Sequence, residues 1–194
     1  MYIGVLSLQG GVTEHLRHIE QLGHVAIQVK ESKDLDGIDG LILPGGESTT
    51  MGKLLNLTGL LEPLRNKIIL GLPTWGTCAG MILLAKEIEN DNKRHLSLMN
   101  IKVKRNAFGS QIDSFKINRV INKISKNPLE LVFIRAPYVT EVGENVDIIC
   151  KVNKNIVAVR EKNMLATAFH PELTTNLEFL AYFIKEFIGK NPKN

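Results

Sequence analysis

The sequence predicts an α/β fold: a mostly parallel sheet covered by helices on both faces, with antiparallel strands appended. Two observations predict it. In the first half, short and nearly continuous apolar runs are separated by segments of helical period, the pattern of parallel strands buried on both faces. In the second half, strand-like runs follow one another with turns and little helix between them.

Each element has its own signal. YIGVLSL (2–8) is an apolar run that stops at Gln9-Gly10-Gly11. Val12, Leu16, Ile19 and Leu22 then share one helical face, with Gly23 as the stop. HVAIQV (24–29) is a second strand, and GLILP (40–44) a third, closed by Pro44-Gly45-Gly46. A helical stretch runs through Met51, Leu54 and Leu55 to Leu64. IILGLP (68–73) reads as the fourth strand and AGMILLAKEI (79–88) as the next helix. LSLMNIKVKRN (96–106), ELVFIRAP (130–137), VDIICKVN (146–153) and NIVAVRE (155–161) read as antiparallel strands added to the sheet. MLATAFHPEL (164–173) is an apolar strand ending in His-Pro, and LEFLAYFIKEFIG (177–189) an amphipathic closing helix. No linker interrupts this order. The expected organisation is one domain over residues 1–189 with a polar tail at 190–194.

Bulk properties narrow the function. The 194 residues suffice for one sizeable core, and 44% apolar with 23% charged residues is ordinary for a soluble globular protein. No apolar run approaches the ~20 residues of a membrane span, and the start reads straight into a strand with no basic leader. The charge of +4 is scattered and mixed with acids, apart from a Lys-rich tail after Phe183, which argues against a nucleic-acid partner. Two cysteines, Cys78 and Cys150, make no disulfide framework and show no metal-ligand spacing. A reducing cytoplasm is the expected location.

In an open α/β sheet, sites form outside the carboxyl ends of the strands. Three such ends carry unusual residues. Gly76-Thr77-Cys78-Ala79-Gly80 has the form G-x-C-x-G at a strand-to-helix junction, the cysteine version of a nucleophile elbow. The turn is crowded, so small residues must flank the sulfur, and the Ala79 N–H can donate to an oxyanion. The alternative is a buried structural cysteine. His170 follows an apolar strand, with Glu172 two residues on. A base and a carboxylate in that order can act as the rest of a triad, the acid holding one imidazole tautomer. The bland reading is a loop histidine. Pro44-Gly45-Gly46-Glu47-Ser48 is the third end. Its glycines let backbone N–H groups approach a ligand, and Glu47-Ser48-Thr49 can also cap a helix. His15 and His18 form H-x-x-H without an evident third ligand, so no metal site is expected. Cys150 reads as core and Trp75 as packing.

Taken together, GGES, GTCAG and FHPEL resemble the class I glutamine amidotransferases, cysteine-dependent glutaminases on a flavodoxin-like, three-layer α/β/α fold. IGVLSLQGGVTEH, LILPGGESTTM, GTCAGMILLAKEI, VKRNAFGSQIDSF, FIRAP and ATAFHPEL narrow the resemblance to the glutaminase subunits of pyridoxal 5′-phosphate synthase. These stretches run in family order from residue 3 to residue 173. The family commonly has Ala or Asp where Gly11 stands.

The resemblance implies Cys78 as nucleophile, His170 as base and Glu172 as its orienter, with oxyanion N–H groups from Gly46 and Ala79. It places Gly46, Glu47, Ser48, Arg105, Ile134 and Arg135 at the glutamine site. By residue type alone, Arg105 and Arg135 also read as surface ion-pair formers. The implied reaction hydrolyses L-glutamine to L-glutamate and ammonia through a cysteine thioester, with no metal and no cofactor. The implied partner is a (β/α)₈ synthase subunit that takes the ammonia for pyridoxal 5′-phosphate (vitamin B6) synthesis, with Gln9, Gly10 and Gly11 at its interface and in activation. Competing readings are a glutaminase for another synthase, such as imidazole glycerol phosphate synthase, a γ-glutamyl hydrolase, and a catalytically silent binding module.

Overall fold

A computed structural model describes residues 1–107 and 114–190. Segment 108–113, part of the RNAFGSQ stretch, and tail residues 191–194 lie outside the described residues.

Five strands form a parallel core: β1 (Tyr2–Leu6), β2 (Val25–Val29), β3 (Gly40–Leu43), β4 (Thr74–Thr77) and β12 (Met164–Thr167). Their spatial order is β2-β1-β3-β4-β12, every pairing parallel. That is the doubly wound order, with the switch point between β1 and β3. Every residue of β3, β4 and β12 is buried, so these strands needed apolar or small residues at all positions rather than alternation. The sheet continues through antiparallel strands: β11 (Asn155–Glu161) beside β12, then β9 (Tyr138–Val142), then β6 (Met99–Lys104). β5 (Ala85–Ile88) closes that edge and β10 (Asp147–Val152) pairs with β11. The expected mostly parallel sheet with antiparallel additions is the observed one.

Helix α1 (Val12–Gln21) returns from β1 to β2, and α2 (Ser48–Leu57) and α3 (Leu61–Ile69) lie between β3 and β4. α4 (Ala79–Leu84) follows β4, and α5 (Glu178–Phe183) runs into a π-type turn at Ile184–Ile188. Trp75 is buried against Phe179 and Phe183 of α5 and donates its indole N–H to Thr167 Oγ1 at 3.1 Å, a packing role. Cys150 is buried in β10. Among the described residues no helix is long and apolar enough to cross a membrane.

Four boundaries differ from the sequence reading. IILGLP is not a strand: its first two residues end α3, and β4 begins at Thr74. Leu64 and Ile68, four apart, face the core, whereas Ile69 and Leu70 stand 61% and 72% exposed, which is helical periodicity. Gly71, at φ 105°, stops the helix, with its N–H on Ile68 O and the Leu72 N–H on Lys67 O. The helical stretch from Met51 to Leu64 is two helices, broken at Gly59 with φ 70°. AGMILLAKEI is helical only to Leu84, and Ala85–Ile88 turns into an edge strand beside β6. Finally, ELVFIRAP lies outside the main sheet. It belongs to β8 (Ser125–Ile134), which pairs with β7 (Ser114–Ile121) in a separate hairpin. Its partner is β7, not a strand of the main sheet; Leu129, Leu131 and Phe133 are buried in the core, Val132 between them is also buried, and Ile134 is exposed.

Candidate active site

The residues singled out in the sequence sit at the carboxyl ends of β1, β3, β4 and β12, joined by Arg105 at the end of β6 and by Ile134 and Arg135 at the end of β8. Cys78 is the first residue past β4 and has φ 47° and ψ −101°, a conformation that a residue with a side chain adopts only under constraint. The constraint is visible on both sides. Its N–H donates to Thr167 O at 2.8 Å, and its carbonyl accepts from Met81 N at 3.1 Å. The flanking glycines are sterically required. A Cβ on Gly76 would lie 2.5 Å from the Gly80 carbonyl, and one on Gly80 would lie 2.1 Å from Leu43 O. The strand, the turn and α4 therefore close to a distance that only hydrogen side chains permit, and the cysteine between them is left facing a cleft.

His170 is held from below and from the side. Its N–H donates to Val132 O of β8 at 2.8 Å. Pro171–Leu173 form one 3₁₀ turn, which folds Glu172 back onto the imidazole. His170 Nδ1 and Glu172 Oε1 are 2.7 Å apart. An ionised carboxylate accepts the Nδ1–H, which leaves Nε2 for the Cys78 sulfur, on the same cleft as His170. Burial disfavours the charged imidazole. The hydrogen bonds to Cys78 and Glu172 outweigh it and push the His170 pKa up to about 10. Glu172 is 4% exposed. Burial alone would raise its pKa, but the neighbouring imidazoles hold it below the usual carboxylate range, chiefly the hydrogen-bonded His170, because burial keeps His15 itself uncharged.

The glycine-rich turn after β3 is tied to the end of β1. Gly11 N donates to Gly45 O at 3.0 Å, and Glu47 N donates to Gln9 Oε1 at 2.9 Å. In a trans peptide the C=O and N–H point opposite ways, so the Gly46 N–H is turned away from α1. The Glu47 carboxylate caps α2, accepting from Thr49 N, Thr50 N and Thr50 Oγ1. Its pKa falls to about 2, the Thr50 hydroxyl contributing most and outweighing partial burial. Arg105, just past β6, donates to Asp91 Oδ2 at 2.7 Å and to Thr49 Oγ1 at 3.3 Å.

A cleft of about 420 Å³ joins these parts. Cys78, Ala79 and His170 line one side, and Gln9, Gly46, Glu47 and Ser48 another. Arg105, Ile134 and Arg135 complete it, Arg135 at a strained φ of 42°. Glu172 stands behind His170, outside the cleft, and Gly10 and Gly11 lie on the adjoining turn. All the sequence-singled residues are thus in the cleft or next to it.

A family model, the SNO glutamine amidotransferase family, matches residues 5–189. The chain belongs to that family. Among similar proteins, pyridoxal 5′-phosphate synthase subunit PdxT of Clostridium beijerinckii is 64% identical over 185 residues, 95% of this chain and 97% of that protein. The protein of the same name from Clostridium kluyveri is 60% identical over 184 residues, 95% of this chain and 98% of that one. A crystal structure described as a glutamine amidotransferase superposes with a TM-score of 0.91 at 40% identity, covering 96% of this chain and 98% of that one.

For an SNO family glutamine amidotransferase the arrangement is chemically sufficient for acyl transfer. A sulfur and a base face the same cleft, an acid orients the base, and Gly46 and Ala79 line the cleft with them. Among the described residues no group of His, Cys, Asp or Glu is placed to hold a metal ion. Sequence reasoning missed two partners. His15 approaches Glu172, and Asp91 steadies Arg105. Neither has a local signal: the His15 contact joins the two ends of the chain, and the Asp91 contact, 14 residues from Arg105, fits no short motif spacing. Arg105 keeps N–H donors beyond those used by Asp91 and Thr49, and these can fork onto a ligand carboxylate. Arg105→Ala is therefore expected to raise the KM for glutamine roughly 10- to 100-fold with a smaller fall in kcat. Charge-assisted hydrogen bonds are worth ~1.5–3 kcal/mol. An unchanged KM in steady-state kinetics would assign Arg105 to the Asp91 ion pair alone.

Proposed function

We propose that this chain is the glutaminase of a pyridoxal 5′-phosphate synthase, hydrolysing L-glutamine to L-glutamate and ammonia for a (β/α)₈ synthase subunit. The observation that carries the reading is one cleft that presents Cys78, Arg105 and a His170 oriented by a 2.7 Å bond to Glu172. Relatives named as subunits of that synthase support the partner.

Cys78 gives its proton to His170 and attacks the side-chain carbonyl carbon of glutamine. The charge that develops on oxygen rests on the N–H groups of Gly46 and Ala79. His170 returns the proton to the departing nitrogen, the C–N bond breaks and ammonia leaves. A γ-glutamyl thioester remains on Cys78. Water, deprotonated by His170, splits it to glutamate and restores the thiol. Glu172 holds the imidazole in one orientation and stabilises its charged form. Arg105 and Arg135 take the carboxylate end of the substrate, with Ile134 and the Gly46-Glu47-Ser48 backbone around it.

Docking at Gln9-Gly10-Gly11 would bear directly on Gly46. The peptides on both sides of Gly46 are tied to this segment, by Gly11 N–H on Gly45 O and by the Gln9 side chain on Glu47 N. An oxyanion donor is worth about 10²–10³ in rate elsewhere. Glutamine hydrolysis is expected to rise roughly 10²-fold or more when the synthase subunit is added, and Gln9→Ala should lose most of that rise. Equal rates for the chain alone, the complex and the Gln9→Ala complex would sink the coupling and leave the triad standing.

A further inference from the structure

Glu172 holds His170 with only one of its two oxygens. Oε1 takes the 2.7 Å bond from Nδ1, while Oε2 is buried and accepts no hydrogen bond from the described residues. A buried carboxylate oxygen left without a partner is costly and free to rotate away. His15 Nε2 lies 3.5 Å from Oε2 and 3.3 Å from Thr77 Oγ1. We infer that His15 is a positioning residue for the reaction, its Nε2–H facing Glu172 Oε2 and fixing the carboxylate against His170. This rests on the functional reading above.

Three features fit His15 to that task. The ring is 2% exposed and stands edge-on to Trp75, with centroids 6.1 Å apart and planes at 74°, so its direction is set by packing. Thr77 immediately precedes Cys78, so one imidazole touches both arms of the triad, the elbow and the acid. Burial keeps His15 neutral, outweighing the opposing pull of Glu172. A neutral ring has a single N–H, and a carboxylate facing a bare ring nitrogen would be repelled, so the proton belongs on Nε2. A neutral donor also suits the chemistry. A second imidazolium would compete with His170 for the one negative charge that stabilises it. Among the described residues only His15 and His170 come within ion-pair distance of Glu172, so His18, one turn along α1, leaves Oε2 to His15.

The test uses the full chain in complex with its synthase subunit. His15→Phe keeps the ring and its contact with Trp75 but removes the donor, and His15→Gln restores an N–H at similar reach. Glutaminase kcat and KM are measured beside thermal unfolding. His15→Phe is expected to lower kcat about 10- to 100-fold, as loss of orienting partners does around metal-bound histidines, with KM little changed. His15→Gln should recover most of the rate. A purely structural role would instead lower both variants in step with their unfolding temperatures, and that result, or a wild-type kcat in His15→Phe, overturns the inference. Should the Phe variant not fold, the comparison passes to His15→Gln against His15→Met, which differ mainly in the donor. A wild-type complex without glutaminase activity would overturn the functional reading, and this inference with it.

Discussion

Cys78→Ala is expected to abolish glutamine hydrolysis while leaving the fold in place. The sulfur is the atom that forms the thioester, and removing a nucleophile from a triad costs at least ~10³-fold in kcat. The fold should survive because the constraints on this turn come from elsewhere. The Cys78 N–H bond to Thr167 O and the close approaches at Gly76 and Gly80 do not involve the side chain. Alanine has a Cβ as cysteine does, so the positive φ is no more strained after the change. The substitution also has a spectroscopic consequence. The hydrogen bond and charge of Cys78 are among the influences that raise the His170 pKa, so the imidazole should titrate lower in Cys78→Ala when followed by NMR. Activity surviving in a pure Cys78→Ala sample would remove the sulfur from the mechanism. An unmoved His170 titration would separate the two side chains in solution.

The site was legible in the sequence because its chemistry sits at strand ends, where short motifs carry their own physical reasons. G-x-C-x-G could be read because crowding demands the glycines, and the close approaches at Gly76 and Gly80 are that crowding. The parallel core was legible for a related reason: strands buried on both faces leave continuous apolar runs. What misled was an apolar run that serves two elements. Ile68 closes a helix face and Leu72 a helix stop, yet in sequence they look like one strand. The β7–β8 hairpin was illegible as a separate sheet because alternation names a strand but not its partner. His15 and Asp91 show the remaining limit. Their residue types were visible, but the contacts with Glu172 and Arg105 depend on how α1 and the β5–β6 connection fold back over the sheet.

Gly45→Ala is expected to cost at least ~10²-fold in kcat although it replaces no group that reacts. A Cβ at this position would lie 2.3 Å from His170 Cε1, 2.9 Å from His170 Nδ1 and 3.4 Å from Cys78 Cβ. Contacts that short cannot stand, so a neighbour must move. The imidazole is the one that can, since the His170 N–H is anchored on Val132 O and the elbow is locked by its own glycines. Swinging the ring breaks the 2.7 Å bond to Glu172 Oε1 or pulls Nε2 off the sulfur, and either loses the alignment on which proton transfer depends. A misplacement of about 1 Å is enough for a 10²-fold loss. Gly46→Ala is the informative contrast. Its Cβ would meet the far end of the Gln9 side chain at 2.4 Å, a group that can turn aside, and the Gly10 Cα at 3.2 Å, so the strain falls on the Gln9-Gly10 segment rather than on His170. Gly46→Ala should therefore keep the His170–Glu172 bond and show its deficit mainly in the activation by the synthase subunit. Gly45→Ala should be slow with or without the partner, with its KM for glutamine changed far less than its kcat. A Gly45→Ala enzyme turning over at the wild-type rate would mean that His170 does not occupy this position during the reaction.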